Sequence, residues 1–223
     1  MWTPEDPKKK AAATYNSASD CYNHPANFFW ERYGRRTVER LRLPSGARVL
    51  DVCCGSGASA IPAAETVGSG GFVLGVDLAE NLLELARGKA KQRGLTNLDL
   101  RAGDMLDLKI PQSSFDAVIC VFGIFFVPDM QAAVRELWRL VRPGGKLAIN
   151  TWGPRFFEPA STAFWDSIRA IRPDLYKSFN RGTIEQLDAA DRERVPLDNL
   201  DFIGGTDVRS VEANVVYAVA VTK

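Results

Sequence analysis

The sequence predicts an α/β fold, a Rossmann-like, doubly wound and mostly parallel sheet with helices on both faces and an N-terminal helical cap. Three observations point there. From residue 47 onward, short β-branched runs alternate with helical patterns, which is how a parallel sheet flanked by helices is written. The first of those runs ends in a glycine turn, Gly55-Ser56-Gly57, that feeds directly into a helical segment. A chain of 223 residues with 46% hydrophobic content can also bury a substantial core.

The elements follow in order. Residues 15–41, YNSASDCYNHPANFFWERYGRRTVERL, predict one or two amphipathic, aromatic-rich helices, assigned to a cap over residues 1–44. ARVLDVC (47–53) is the first strand. GFVLGVDL (71–78), NLDLRAGD (97–104), FDAVICVFG (115–123) and KLAINTWG (146–153) are the next four. Between them, ASAIPAAETVG and AENLLELARGKAKQRG (79–94) read as helices; the second carries Leu82, Leu83 and Ala86 on one face and stops at Gly94. After the fourth strand, Asp129 caps a helix whose Val134, Leu137, Trp138 and Val141 repeat at helical spacing. Pro143-Gly144-Gly145 terminates it. A cofactor-binding core over 45–153 and an acceptor-side region over 154–223 thus form one domain of 1–223. In the latter, 158–171 and 183–195 predict helices and NVVYAVAVTK (214–223) a final strand. A lone, long, apolar edge strand would be unguarded. Either the chain lacks a strand before it, or residues are missing at Asn180/Arg181; the second reading is favoured, and a Cα separation well beyond about 3.8 Å would betray the gap.

Charge and cysteine usage narrow the partners. Lys and Arg total 28 against 27 Asp and Glu, so the formal charge of +1 offers no basic field for nucleic acid, and a small molecule is the expected partner. Cys21, Cys53, Cys54 and Cys120 form no CxxC pair and read as small apolar residues of a reduced protein; no metal-ligand cluster is predicted. No run of 18 apolar residues and no signal-peptide core appear, so the expectation is a cytoplasmic protein with no membrane span. Nothing in the sequence fixes an oligomeric state.

The glycine turn poses the central question. In open parallel sheets, ligands bind beyond the carboxyl ends of the strands, and glycines there allow positive φ and close backbone approach. Gly55-Ser56-Gly57-Ala58-Ser59-Ala60 fits G-x-G-x-x-A, with Asp77 ending the second strand 20 residues after Gly57, as in a dinucleotide fold. An acid at Asp77 suits ribose hydroxyls under either reading. Asp51, four residues before Gly55, would repel a pyrophosphate and favour a cationic ligand end, and the sequence shows no lysine or arginine in reach of the turn. Asp104 closes the third strand where a carboxylate can accept from an adenine amino group. CVFGIFFVPD, after the fourth strand, makes an apolar wall suited to a soft cation and an apolar acceptor.

Taken together, VLDVCCGSG, GVDLAENLL, AGDM, FDAVICVFGIFFVPD and LWRLVRPGGKL resemble the class I S-adenosylmethionine-dependent methyltransferases. They are closest in style to the small-molecule enzymes grouped with the ubiquinone/menaquinone C-methyltransferases. The resemblance spans about residues 15–153. It implies S-adenosyl-L-methionine as cofactor and transfer of its methyl group to a C, N or O atom of a small, partly apolar acceptor. It also implies roles: Asp51, Cys53, Gly55 and Gly57 around the methionine moiety, Asp77 on the ribose, Leu78 against adenine, Asp104 and Met105 at the adenine edge, and Val121 or Phe122 near the donor. YNSASDCYN (15–23) resembles the lead-in helix of these enzymes, so Tyr15 and Tyr22 would close over the cofactor.

Blander readings stand beside these. His24, the sole histidine, is a candidate general base, as is Tyr22, but His24 before Pro25 is more often a turn or packing residue. Cys54 is a nucleophile by location only. Phe125, Phe126, Phe156 and Phe157 line an acceptor pocket or fill the core. Asp104 can simply make an Asx turn. Two other functions fit the same loop: an NAD(P)-dependent oxidoreductase, and a non-catalytic protein that binds S-adenosylmethionine.

Overall fold

The computed structural model describes residues 7–158, 160–171, 191–196 and 210–222. The chain forms two compact units, one of Met1–Asn150 with Ala218–Lys223, the other of Thr151–Tyr217.

The first unit begins with helices α1 (Pro7–Ser17), α2 (Ser19–Tyr22) and α3 (Phe29–Leu41). Its sheet contains β1 (Arg48–Val52), β2 (Phe72–Asp77), β3 (Leu98–Ala102), β4 (Phe115–Val121) and the start of β5 (Val141–Glu158), in the order β3-β2-β1-β4-β5. Every one of these pairings is parallel, with β1 at the centre: Val52 pairs with Val76 on one side and Cys120 on the other. Central parallel strands are covered on both faces, which is why the β1 and β4 sequences are runs of aliphatic residues rather than alternations. Val49, Leu50, Val52, Ala117, Val118 and Ile119 are all fully buried. Strand order reverses between β1 and β4, so the crevice for a ligand opens above their carboxyl ends.

Helices α4 (Ala60–Val67), α5 (Glu80–Gln92) and α6 (Met130–Leu140) connect the strands. Leu82, Leu83 and Ala86 form the buried face of α5, and Gly94, at φ 65°, lets the chain leave it in a left-handed turn. Asp129 caps α6 by accepting from the Ala132 amide at 2.8 Å, and Leu137 and Leu140 point into the core. The helix ends at Leu140; the Pro143-Gly144-Gly145 run already belongs to β5, and Val141 pairs with Phe115.

In the second unit α7 spans Ala160–Ile171. The expected helix over 183–195 is corrected at its end, its residues 183–190 lying outside the described residues: Asp191–Pro196 is a strand, β6, paired antiparallel with β7 (Ser210–Val221), Asp191 opposite Val215. The cause is tertiary: DRERVP has helix-favouring residues, but propensity is a weak prior against the hydrogen bonds offered by an unpaired strand. The final strand is therefore not alone. The Asn180/Arg181 junction, on which a gap was expected, lies outside the described residues. Among the described residues no helix is long and apolar enough to cross a membrane.

Candidate active site

The glycine loop runs from Cys53 to Ser59. It is built by backbone conformations that few residues adopt: Cys53, Gly55 and Gly57 have φ of 56°, 50° and 87°. Cys53 pays the left-handed strain that glycine avoids, about 1–2 kcal/mol. Loop and strands are locked by the Asp77 carboxylate, which accepts from the Gly55 amide through Oδ2 and from the Ala79 amide through Oδ1, both at 2.8 Å. The Leu78 amide also donates to this carboxylate, which lines the cleft above the loop. Burial raises the Asp77 pKa, opposed by those amides.

Above the loop lies a cleft of about 780 Å³, open to solvent. Its floor is Cys53 and Gly55, one wall Asp77 and Leu78, the other Val121 and Phe122, and Tyr15 and Tyr22 stand over it. Those eight residues, from five separate elements and turns, are all candidates legible in the sequence. The roof is an aromatic assembly: Tyr22 stacks on Trp30 with centroids 5.9 Å apart at 4°, Trp30 meets Phe122 edge-on at 5.3 Å, and Tyr15 meets Phe126 edge-on at 5.6 Å. Burial holds the Tyr15 and Tyr22 phenols up, so both stay protonated near neutral pH.

Four expected cofactor residues do not line the cleft. Asp51 is fully buried in β1; Ser59 Oγ donates to its Oδ2 at 2.7 Å, while Oδ1 has no hydrogen-bond partner. Burial is the main reason its pKa is raised to about 7, opposed by Ser59 and the Ala60 amide, with nearby Asp77 adding to it. Gly57 packs on helices: a Cβ there would stand 2.8 Å from Ile61 Cδ1 and 3.2 Å from Ala86 Cβ. Met105 is buried with its Sδ 3.5 Å from Cys53 Sγ. Asp104 makes the Asx turn, accepting from the Leu106 amide at 2.9 Å, and also ion-pairs with Lys8 of α1. Burial would raise Asp104, yet these two partners hold it below the usual carboxylate range.

Two features were not foreseen. A lysine does reach the turn, which corrects the expectation of none: Lys89 of α5 donates to Ser56 Oγ at 3.3 Å and is paired with Glu31 of α3 at 2.9 Å. No sequence pattern links positions 33 residues apart, so only the fold reveals it. Asn150, fully buried, accepts from the Phe122 amide at 3.0 Å through Oδ1 and donates to Thr37 Oγ1 at 3.1 Å. It ties the end of β4, where Phe122 has φ 54°, to α3. A lone asparagine inside KLAINTWG was its one signal. His24 lines a neighbouring cleft of about 400 Å³ with Lys89 and Asn27, beyond the Tyr22–Trp30 wall. Cys54 is buried, its Sγ 3.0 Å from where a Cβ on Gly75 would stand, and burial keeps its thiol protonated. Phe125 and Phe126 are partly exposed beside the wall; the side chains of Phe156 and Phe157 lie outside the described residues. Among the described residues no cluster of three His, Cys, Asp or Glu could hold a metal ion.

A family profile described as "Methyltransferase domain" matches residues 49–145. A demethylmenaquinone methyltransferase of Listeria welshimeri is 36% identical over 147 residues, 66% of this chain and 61% of the relative. The Geobacillus kaustophilus protein of the same name is 35% identical over 150 residues, 67% of this chain and 63% of the relative. The alignments thus span under two thirds of these relatives' length. Among solved structures, an Aquifex aeolicus SAM-dependent methyltransferase shares the fold over 92% of this chain and 97% of its own, with TM-score 0.58 and 20% identity. The [4+2]-cyclase SpnF matches 56% of this chain and 46% of its own, at 28% identity and TM-score 0.51.

Proposed function

We propose that this chain, whose residues 49–145 match a methyltransferase-domain profile, is a class I S-adenosylmethionine-dependent methyltransferase that moves the methyl group of S-adenosylmethionine to a nucleophilic C, N or O atom of a small, partly apolar acceptor. An acceptor of the reduced-quinone kind, a flat electron-rich ring, is the reading that the demethylmenaquinone methyltransferase relatives favour. The observation that carries the cofactor assignment is Asp51: a fully buried carboxyl whose Oδ1 has no partner, under a glycine loop. A cation repairs it and a diphosphate worsens it. The Lys89–Glu31 pair beside Ser56 brings both signs of charge, which suits a zwitterionic amino-acid end.

When bound, the cofactor supplies a methyl group already activated on a positively charged sulfur. The residues then have four tasks. Cys53 and Gly55 line the receptor for the amino-acid end, with Asp51 and Gly57 shaping the loop beneath it. Asp77 offers its remaining lone pairs to the ribose hydroxyls, with Leu78 against the base and Asp104 and Met105 at the base edge. Val121 and Phe122 place an apolar wall beside the transferring group. Tyr15, Tyr22 and Trp30 present aromatic faces to a cation and exclude water. By holding donor and acceptor in line these residues would supply alignment worth about 7–11 kcal/mol in favourable cases, and no base would be obligatory. Burial holds the Tyr22 phenol up, which opposes its acting as one.

The test is transfer of labelled methyl from S-adenosylmethionine to a panel of lipid-soluble quinols, phenols and amines. Incorporation into the quinol, lost in Asp77→Ala, supports the proposal. Tight binding of S-adenosylhomocysteine with no transfer to any acceptor contradicts it and favours a binding or cyclase-like role, since a fold hosts many chemistries.

A further inference from the structure

The two strand ends that flank the switch point share an uncommon backbone. Cys53, just after β1, and Phe122, just after β4, both have left-handed φ, 56° and 54°, and both line the cleft. Phe122 is the costlier case, because a bulky side chain in that region is strained and persists only where its surroundings over-determine it. Its amide donates to two acceptors of one residue, the Asn150 side-chain Oδ1 at 3.0 Å and the Asn150 main-chain carbonyl at 3.2 Å. Asn150 is itself fixed. Fully buried, it donates through Nδ2 to Thr37 Oγ1 at 3.1 Å, and the Thr37 hydroxyl donates to the Tyr33 carbonyl at 2.8 Å. Tyr33 and Trp30, on the same helix, meet the Phe122 ring edge-on at 5.8 and 5.3 Å.

We propose that Asn150 is a positioning residue for the cofactor: it holds Phe122 in its left-handed turn and so keeps the ring on the cleft wall. The inference rests on the S-adenosylmethionine reading of that cleft. Asn150 does not line the cleft and acts only through Phe122. Its surroundings in β5 are aliphatic, with Leu147 and Ala148 buried beside it, and a buried amide there is costly unless it is hydrogen-bonded. Here both ends of the amide are bonded, the oxygen to the end of β4 and the nitrogen to α3, so one side chain couples the wall of the cleft to the helix that carries Trp30 of its roof. On the other side the turn is pressed against the end of β1: a Cβ on Gly123 would stand 2.5 Å from Cys53 Cβ. Without the Asn150 side chain, Phe122 keeps one main-chain bond and relaxes toward the right-handed region, which turns its ring off the wall.

The test is a double-mutant cycle on the full chain, read as calorimetric affinity for S-adenosylhomocysteine, with a melting curve for every variant. Asn150→Ala is expected to weaken binding about 3- to 10-fold, the weight of one net hydrogen bond. In a Phe122→Gly background, where glycine takes the left-handed turn freely and no ring is left to hold, Asn150→Ala is expected to change affinity by less than about twofold. Thr37→Val removes only the partner of Nδ2 and should weaken binding in the same direction; it carries the same cycle if Asn150→Ala does not fold. A general loosening of the core gives other results: an affinity loss of equal size with and without the Phe122 ring, or a lower melting temperature with affinity unmoved. Either overturns the proposal while the cofactor reading stands. Wild type that binds no S-adenosylhomocysteine overturns the cofactor reading itself, and this inference with it.

Discussion

At the residue scale, Asp51 is the most informative group, because its pKa of about 7 sits inside the working pH range. The folded chain holds a proton there that the unfolded chain gives up near 4. The ligand-free protein therefore loses stability as pH rises from about 4 through 7, the reverse of a salt-bridged aspartate. A ligand whose amino-acid end carries an ammonium group favours the ionised form. We predict that affinity for S-adenosylhomocysteine rises between pH 6 and 8, by up to about tenfold per unit below the titration, with proton release in calorimetry. Asp51→Asn should flatten that dependence and weaken binding about 10- to 100-fold, the worth of a hydrogen bond to a charged group. Asp51 and Asp77 were legible because strand ends and glycine spacing fix their place. Lys89 and Lys8 were not: each is an ordinary exposed-type residue on a helix until the fold brings it to Ser56 or Asp104.

At the scale of elements, the loop is held as much by α3 as by the sheet. Gly34 packs so closely that a Cβ would overlap the Ala58 carbonyl group. Helix propensity alone would make Gly34→Ala stabilising by about 1 kcal/mol. Overlap with backbone, which cannot swing aside, costs about 1–3 kcal/mol and reverses the sign. We expect a lower melting temperature and weaker S-adenosylhomocysteine binding together. The aromatic roof gives a second prediction. Trp30→Ala removes both the Tyr22 stack and the Phe122 edge contact, worth about 0.5–1.5 kcal/mol each, and should speed ligand release in stopped-flow. Tyr22→Phe keeps the stack and should change release little. Strands β1 to β4 and helices α4 to α6 were readable because apolar runs and caps agree with their tertiary roles. β6 was not, since its alternating charges carry no apolar signal and its partner alone makes it a strand.

For the molecule as a whole, near-neutral charge, a parallel sheet with its switch point between β1 and β4, and one aromatic-roofed cleft converge on a small-molecule site. Ligand at 100 times its dissociation constant adds about 2.7 kcal/mol to the folded state. For a chain of this size that is a melting shift of about 5–10 °C. S-adenosylhomocysteine should produce it and NADH should not. The fold class was legible because it needs only the alternation of elements; the depth of Asp51 and the Asn150 bridge needed the packed core. The most direct test is a calorimetric titration of the protein with S-adenosylhomocysteine and, separately, with NADH, at pH 6 and pH 8. The account predicts one S-adenosylhomocysteine per chain, tighter at pH 8, and no heat from NADH. Binding of NADH, or an S-adenosylhomocysteine affinity indifferent to pH, would contradict it.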